Sequence, residues 1–326
     1  MKFAIFSLMA ILSVSLCTIP EIPGITQGGG LSQITTTTLP PDVISVENLN
    51  VIPPSPINAG NQFTMTYNVK SLEDSREVKN VNIALFDYGL CIPNLDNSWT
   101  KTGSVFLKSF ASFFPQQIEF VEWPFSAPQS SQIGFLQVQC PIRWKVSYDF
   151  SAATVIDVDV IAYSRLLELQ RSGQSPSFTP TQAIGRGPIK ISISYGTTLP
   201  IRTSNLTANY KSILPLIVTV ENVGDGVYGT IPAGMLHVNK PSEFSVEQSC
   251  LDIFSSSGNE LTNKNPVTLI NKKSVGLRCS LAVPEESITP DPTKVYIEKT
   301  FFFNASLDYS YSLQKQVDIT VNPLRV

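Results

Sequence analysis

The sequence predicts an all-β chain built as two tandem antiparallel sandwiches. Three observations carry this: runs in which apolar and polar residues alternate with period two, 24 prolines spread between those runs, and four cysteines beyond the first 17 residues. Period two puts successive side chains on opposite faces of a strand. Prolines fit turns and strand ends but interrupt helices.

The chain opens with Lys2 ahead of an apolar stretch from Phe3 to Leu16, the charged and apolar regions of a secretory signal. That stretch is short of the roughly 20 residues a spanning helix needs. Residues 1–17 are therefore expected to be a signal peptide or membrane anchor, with cleavage after Cys17, lipidation of Cys17 and an uncleaved anchor all open. Residues 18–41 are rich in Gly, Thr and Pro and read as a linker lifting the folded part off a membrane or wall. A sharper reading makes Leu31 to Leu39 a donor strand that pairs with a neighbouring subunit.

The later cysteines are Cys91, Cys140, Cys250 and Cys279, an even number in a chain expected in an oxidising compartment. Four cysteines allow three pairings. Cys91 with Cys140 and Cys250 with Cys279 keep each bridge within one expected domain.

The first sandwich is placed at 42–170. Val46 to Val51 forms its opening strand, Phe63 to Val69 and Val81 to Leu85 alternate cleanly, and Cys140, Ile142, Trp144, Val146, Tyr148 and Phe150 share one face of a further strand. A cysteine and a tryptophan on one inward face suit a core stapled between two sheets. Thr154 to Tyr163 is expected to close the module, and Leu166 to Ser172 to be a short helix or frayed strand. Residues 171–187 read as a second linker.

The second sandwich is placed at 188–326, with strands expected at Ile189 to Ile193, Ile213 to Val220, Met235 to Val238, Val267 to Ile270, Val275 to Leu281, Val295 to Tyr311 and Val317 to Val321. The runs Tyr148-Asp149-Phe150 and Asp308-Tyr309 fall at matching places in the two modules, as duplication of one unit predicts.

The stretch Leu216-Ile217-Val218-Thr219-Val220-Glu221-Asn222-Val223-Gly224 resembles the signature strand and turn of CARDB-like and related modules of prokaryotic cell-surface proteins, archaeal ones above all. That resemblance implies two tandem immunoglobulin-like antiparallel β-sandwiches. It implies no particular activity, because such modules serve as adhesive units, spacers and appendages of enzymes alike.

Chemistry has little to build on. His237 is the one histidine and no CxxC pair occurs, so neither a metal site nor a cofactor is expected and no catalytic residue is assigned. Asp157 and Asp159 lie on one strand face about 7 Å apart, a glycosidase-like spacing, but their simpler role is a solvated outer face. With 23 Lys+Arg against 26 Asp+Glu, a clustered basic face for nucleic acid is not expected. Asn205 and Asn304 head N-glycosylation sequons. The aromatic stretch from Val105 to Phe125 either fills the core or forms a contact surface, with Phe113, Phe114, Trp123 and Phe125 as candidate contacts.

The expected function is that of an exported, non-catalytic structural or adhesive protein. It would sit outside the cell or on its surface, contacting other surface proteins or glycans. Homo-oligomers are allowed, and a membrane is touched only through the N-terminal segment. The alternatives are a subunit of a filament assembled by donor-strand addition, and an accessory carbohydrate-binding module of an extracellular hydrolase system.

Overall fold

The computed structural model describes residues 41–176, 178–205, 210–274, 276–287, 291, 293–295 and 297–324. The expected leader, the first linker up to residue 40 and the Leu31 to Leu39 donor segment lie outside the described residues.

The fold is all-β, as the alternation predicts, and two strands of exceptional length dominate it: Val138–Ile161 and Glu298–Asn322. They pair antiparallel in one unbroken register from Glu298↔Ile161 to Val321↔Val138, a ladder about 80 Å long by strand rise. Sequence reading cuts each of them in two, at Ser151 to Ala153 and at Ser312 to Gln316. Neither break exists, because small and polar residues there mimic a turn without the Gly or Pro that would make one. The phase never slips: the even-numbered residues from Cys140 to Val160 face inward, and so do most odd-numbered ones from Phe301 to Val321. Tyr148-Asp149-Phe150 and Asp308-Tyr309 are consequently cross-strand neighbours, with Phe150 opposite Tyr309 and Tyr148 opposite Tyr311.

This ladder is the spine of an eleven-stranded sheet. Beside the Val138 half of the first long strand lie Val78–Asp87, Val105–Phe113 and Thr100–Thr102; beside the Glu298 half of the other lie Leu236–Asn239, Glu260–Asn263 and Phe254–Ser257. Residues of both expected segments, 42–170 and 188–326, thus share one sheet. Two smaller sheets cover its inner face. A four-stranded one holds Ile44–Ile52, Gln62–Ser71, Ile118–Ser126 and Ile92–Pro93. A seven-stranded one is built around Ile213–Asn222, flanked by Ile189–Tyr195 and Leu277–Ala282.

Each cover has its own aromatic key. Under the four-stranded sheet, Tyr67 stacks on Trp144 at 5.2 Å, and Trp123 meets both rings edge-on. Under the seven-stranded sheet, Phe244 packs edge-on against Phe301 and Phe303, and Tyr195 against Phe303. Such pairs contribute about 0.5–1.5 kcal/mol each beyond the area they bury. The segment read as a helix or frayed strand is the helix Tyr163–Arg171.

The cysteines pair within the expected segments, Cys91 with Cys140 and Cys250 with Cys279. Cys91 and Cys140 have Cα atoms 5.8 Å apart, Cys250 and Cys279 4.4 Å. The first pair joins the start of the short Ile92–Pro93 strand to the spine, one sheet to the other. The second holds the helix Gln248–Ile253 against Leu277–Ala282.

Between the two covers the Glu221 to Gly226 turn docks on the spine. The Tyr311 hydroxyl donates to Asn222 Oδ1 at 2.9 Å and accepts from Gly226 N at 2.8 Å, while Asn222 Nδ2 donates to the Gly226 carbonyl. A methyl group on Gly224 would collide with Asp42 Oδ1, the Tyr311 hydroxyl and Pro188. Gly224→Ala is therefore expected to lower unfolding free energy by about 1–3 kcal/mol through overpacking. Urea denaturation checks this; a variant as stable as the parent would mean that the turn does not dock as described.

Candidate functional site

The waist between the two covers is the most distinctive place on the molecule. The loop from Leu72 to Glu77 joins two strands of the first half, and its Glu73 is fully buried. A buried carboxylate needs charge partners. Arg76 Nε lies 3.5 Å from Glu73 and Arg186 Nε 3.7 Å, the latter supplied by the segment 171–187 expected to be a linker. Arg186 also pairs with Asp74 at 2.6 Å and donates to the Leu72 carbonyl, while Arg76 lies over the Phe150 ring at 4.2 Å. That segment is thereby clamped across the waist.

At this level of the spine is an open cleft of about 820 Å³, lined by outward-facing spine residues and by the inward-facing Phe150 and Tyr309. Its floor is the cross-strand set Asp149, Ser151, Asp308 and Ser310. One wall carries Arg76, Glu77 and Lys79, the other Tyr228, Pro232 and Met235. Asp149 is fixed by Asn80 Nδ2 at 2.7 Å and the Ser310 hydroxyl at 2.5 Å; Asp308 is exposed. Burial pushes the Tyr228 hydroxyl up to about 12, so it stays neutral, with its oxygen shielded from solvent. Carboxylates, a guanidinium, an ammonium and hydroxyls around one apolar wall can hydrogen-bond a neutral polyhydroxyl or a peptide backbone. Sequence reading missed this cleft, since its walls meet only through the ladder; the matched runs at Asp149 and Asp308 were the one signal.

The residues singled out by sequence fall elsewhere. Phe113, Trp123 and Phe125 are buried in the core, which corrects their listing as candidate contacts: Phe113 points inward from the spine's own sheet, and Trp123 and Phe125 from the facing four-stranded sheet. Phe114, at 65 % exposure, remains outside, with Ile118 and Phe120 also exposed nearby in sequence. Asp157 accepts from the Thr181 amide at 2.6 Å and Asp159 from the Thr300 hydroxyl, so both carboxylates bind neighbouring strand and loop groups. His237 pairs with Glu260 at 2.7 Å, away from the cleft. Asn304 lies mid-sheet between Asn239 and Val155, its Oδ1 accepting from Asn239 Nδ2 at 2.9 Å. Asn205 is half-buried and bridged to Tyr210. Among the described residues no cluster of three His, Cys, Asp or Glu side chains could hold a metal ion, and no helix is long and apolar enough to cross a membrane.

No family model matches this chain, and no curated protein matches it. Among solved structures it is similar to a red sea bream transglutaminase at 9 % identity, TM-score 0.19, over 86 % of this chain and 31 % of that one. It is similar also to Escherichia coli alpha-2-macroglobulin activated by porcine elastase, at 9 % identity, TM-score 0.14, over 86 % and 33 %. The chain thus spans about a third of the length of each. These are distant likenesses of an all-β, sandwich-like chain to much longer proteins, and no family is shown by them.

Asp42 supplies a pH test of the waist. Burial raises its carboxyl above the usual 3.8, against a hydrogen bond from the Asp225 amide that lowers it. A raised folded-state value means that the contribution of Asp42 is most favourable below the unfolded value and is lost as pH rises through the folded one. Relative to Asp42→Asn, the parent should therefore lose thermal stability as pH rises above about 4, as calorimetry across pH would read. Parallel stability curves for the two proteins would contradict the buried placement.

Proposed function

We propose that this chain is an exported, non-catalytic structural or adhesive protein of the cell surface that contacts neighbouring proteins or glycans. The observation that carries this reading is the pair of cysteine bridges, one between sheets and one onto a helix, which suit an oxidising compartment. The waist cleft supplies the contact site: exposed Asp308 and Lys79 both line it, and a site on paired strands is pre-organised. Modules that resemble CARDB-like and immunoglobulin-like units on other cell surfaces fit this role, with glycan chains on Asn205 and Asn304 belonging to the same reading. A specific observation favours a second one, a filament subunit accepting a donor strand. Among the described residues no strand pairs with the far edge of Ile118 to Glu122, where Ile118 and Phe120 are exposed.

Affinity electrophoresis through gels containing envelope polysaccharide tests the leading reading. The parent should be retarded, and Asp308→Asn and Lys79→Met should each weaken retention about fivefold or more, as loss of a charge-assisted hydrogen bond implies. Equal retention of all three proteins would remove the cleft as the contact. Polymers that vanish when the residues before Asp42 are deleted would favour the filament instead.

A further inference from the structure

At the end of the first half opposite the waist, four separate stretches of chain converge, and none carries a charge. They are 48–69, 88–95, 123–142 and 319–324, whose turns are brought together where the strands Ile44–Ile52, Val78–Asp87 and Ile118–Ser126 end and Val138–Ile161 begins. Hydrogen bonds tie them to each other: Gly60 N to the Pro128 carbonyl, Ala59 N to the Asn322 carbonyl, Gln137 Nε2 to Asn322 Oδ1 and Thr320 N to Ser55 Oγ. The Cys91–Cys140 bridge fixes the 88–95 turn to the spine. On this braced tip the large apolar side chains point outward: Phe135 is 90 % exposed and Leu136 70 %, with Ile52, Leu90, Ile92 and Leu324 also exposed. Charge returns behind it as a collar of both signs, with Asp87 paired to Arg143 and Glu122 and Asp318 alongside.

We infer that this tip is a second membrane contact, inserting Phe135 and Leu136 into the interfacial region of a neutral lipid surface. Exposed apolar clusters of this kind mark protein or membrane contacts, and three features select lipid. The two most exposed apolar side chains, Phe135 and Leu136, sit on a loop end before the Val138–Ile161 strand, which a bilayer accepts without a complementary pocket. Among the described residues the tip offers only neutral polar groups beside them, the next charge in sequence being Arg325 after Leu324, so entry that stops short of Leu324 desolvates no charge, while the collar stays in water. The third feature is reach. The described chain starts beside the waist, one nine-residue strand away from the tip, or about 30 Å by strand rise. The 24 residues of 18–41 can extend to about 80 Å, so a tether and the tip can meet the same membrane. The inference does not use the waist cleft and stands or falls separately from it.

The test places an indole at the tip of the full chain, Phe135→Trp, and adds phosphatidylcholine vesicles with or without brominated acyl chains. Trp123 and Trp144 are buried in the core and supply the background with Trp99. The variant should show a blue shift and bromolipid quenching that the parent lacks, equal at low and high salt because no charge attracts the tip. Leu136→Ser should weaken that quenching about tenfold, the scale of one lost apolar side chain. Vesicles that retain the protein without quenching the introduced indole would assign all membrane binding to the N-terminal segment and overturn the inference. So would a blue shift that grows with protein concentration in the absence of lipid, which would make the occupant a second copy.

Discussion

The rest of the structure depends on the continuous antiparallel pairing of Val138–Ile161 with Glu298–Asn322. Because side chains on a strand alternate strictly, one unbroken register gives one inward face along the whole length, and a slip by one residue would turn every core side chain outward. The two covering sheets can therefore each have their own aromatic key and still sit on the same side of the spine. The inward face changes character along its length, from Trp144 and Tyr148 through Phe150 to Ile156 and Val158, to suit what lies above it.

The waist is where this architecture must be reinforced, because there the spine runs between the two covers. Three devices act together: the Tyr311 hydroxyl in the Asn222 to Gly226 turn, the Glu73 carboxylate between two arginines, and Arg186 reaching back to Asp74 and Leu72. A buried charge left without partners would cost several kcal/mol, so removing either arginine does more harm than its surface pairings suggest. The same crowding leaves an open cleft of mixed polar and apolar lining, where the flanking strands stop short. Stability and the candidate contact site thus share residues, Arg76 above all.

Much of the fold was legible because the alternation is local. Phe63 to Val69, Ile213 to Val220 and Val267 to Ile270 lie within or on the strands Gln62–Ser71, Ile213–Asn222 and Val267–Ile270, and the cysteines pair in the way that keeps each bridge within one expected domain. The length of the two spine strands was not legible, because Ser151-Ala152-Ala153 and Ser312 to Gln316 weaken the apolar signal without shifting its phase. The fate of the aromatics was legible only in part. Alternation puts Trp123 and Phe125 on one face and Phe120 on the other, yet only the partner sheet decides which face is inside. The cleft was hidden for a stronger reason: Lys79, Asp149, Tyr228 and Asp308 are far apart in the chain and meet only once the ladder has formed.

Hydrogen exchange followed residue by residue along the spine tests the central claim most directly. A single unbroken ladder predicts protection that continues through Ser151 and Asp308, with amides on both sides of the waist opening in one cooperative step. Fast exchange at Ser151 to Ala153 and at Ser306 to Ser310, separating two independently opening halves, would contradict it.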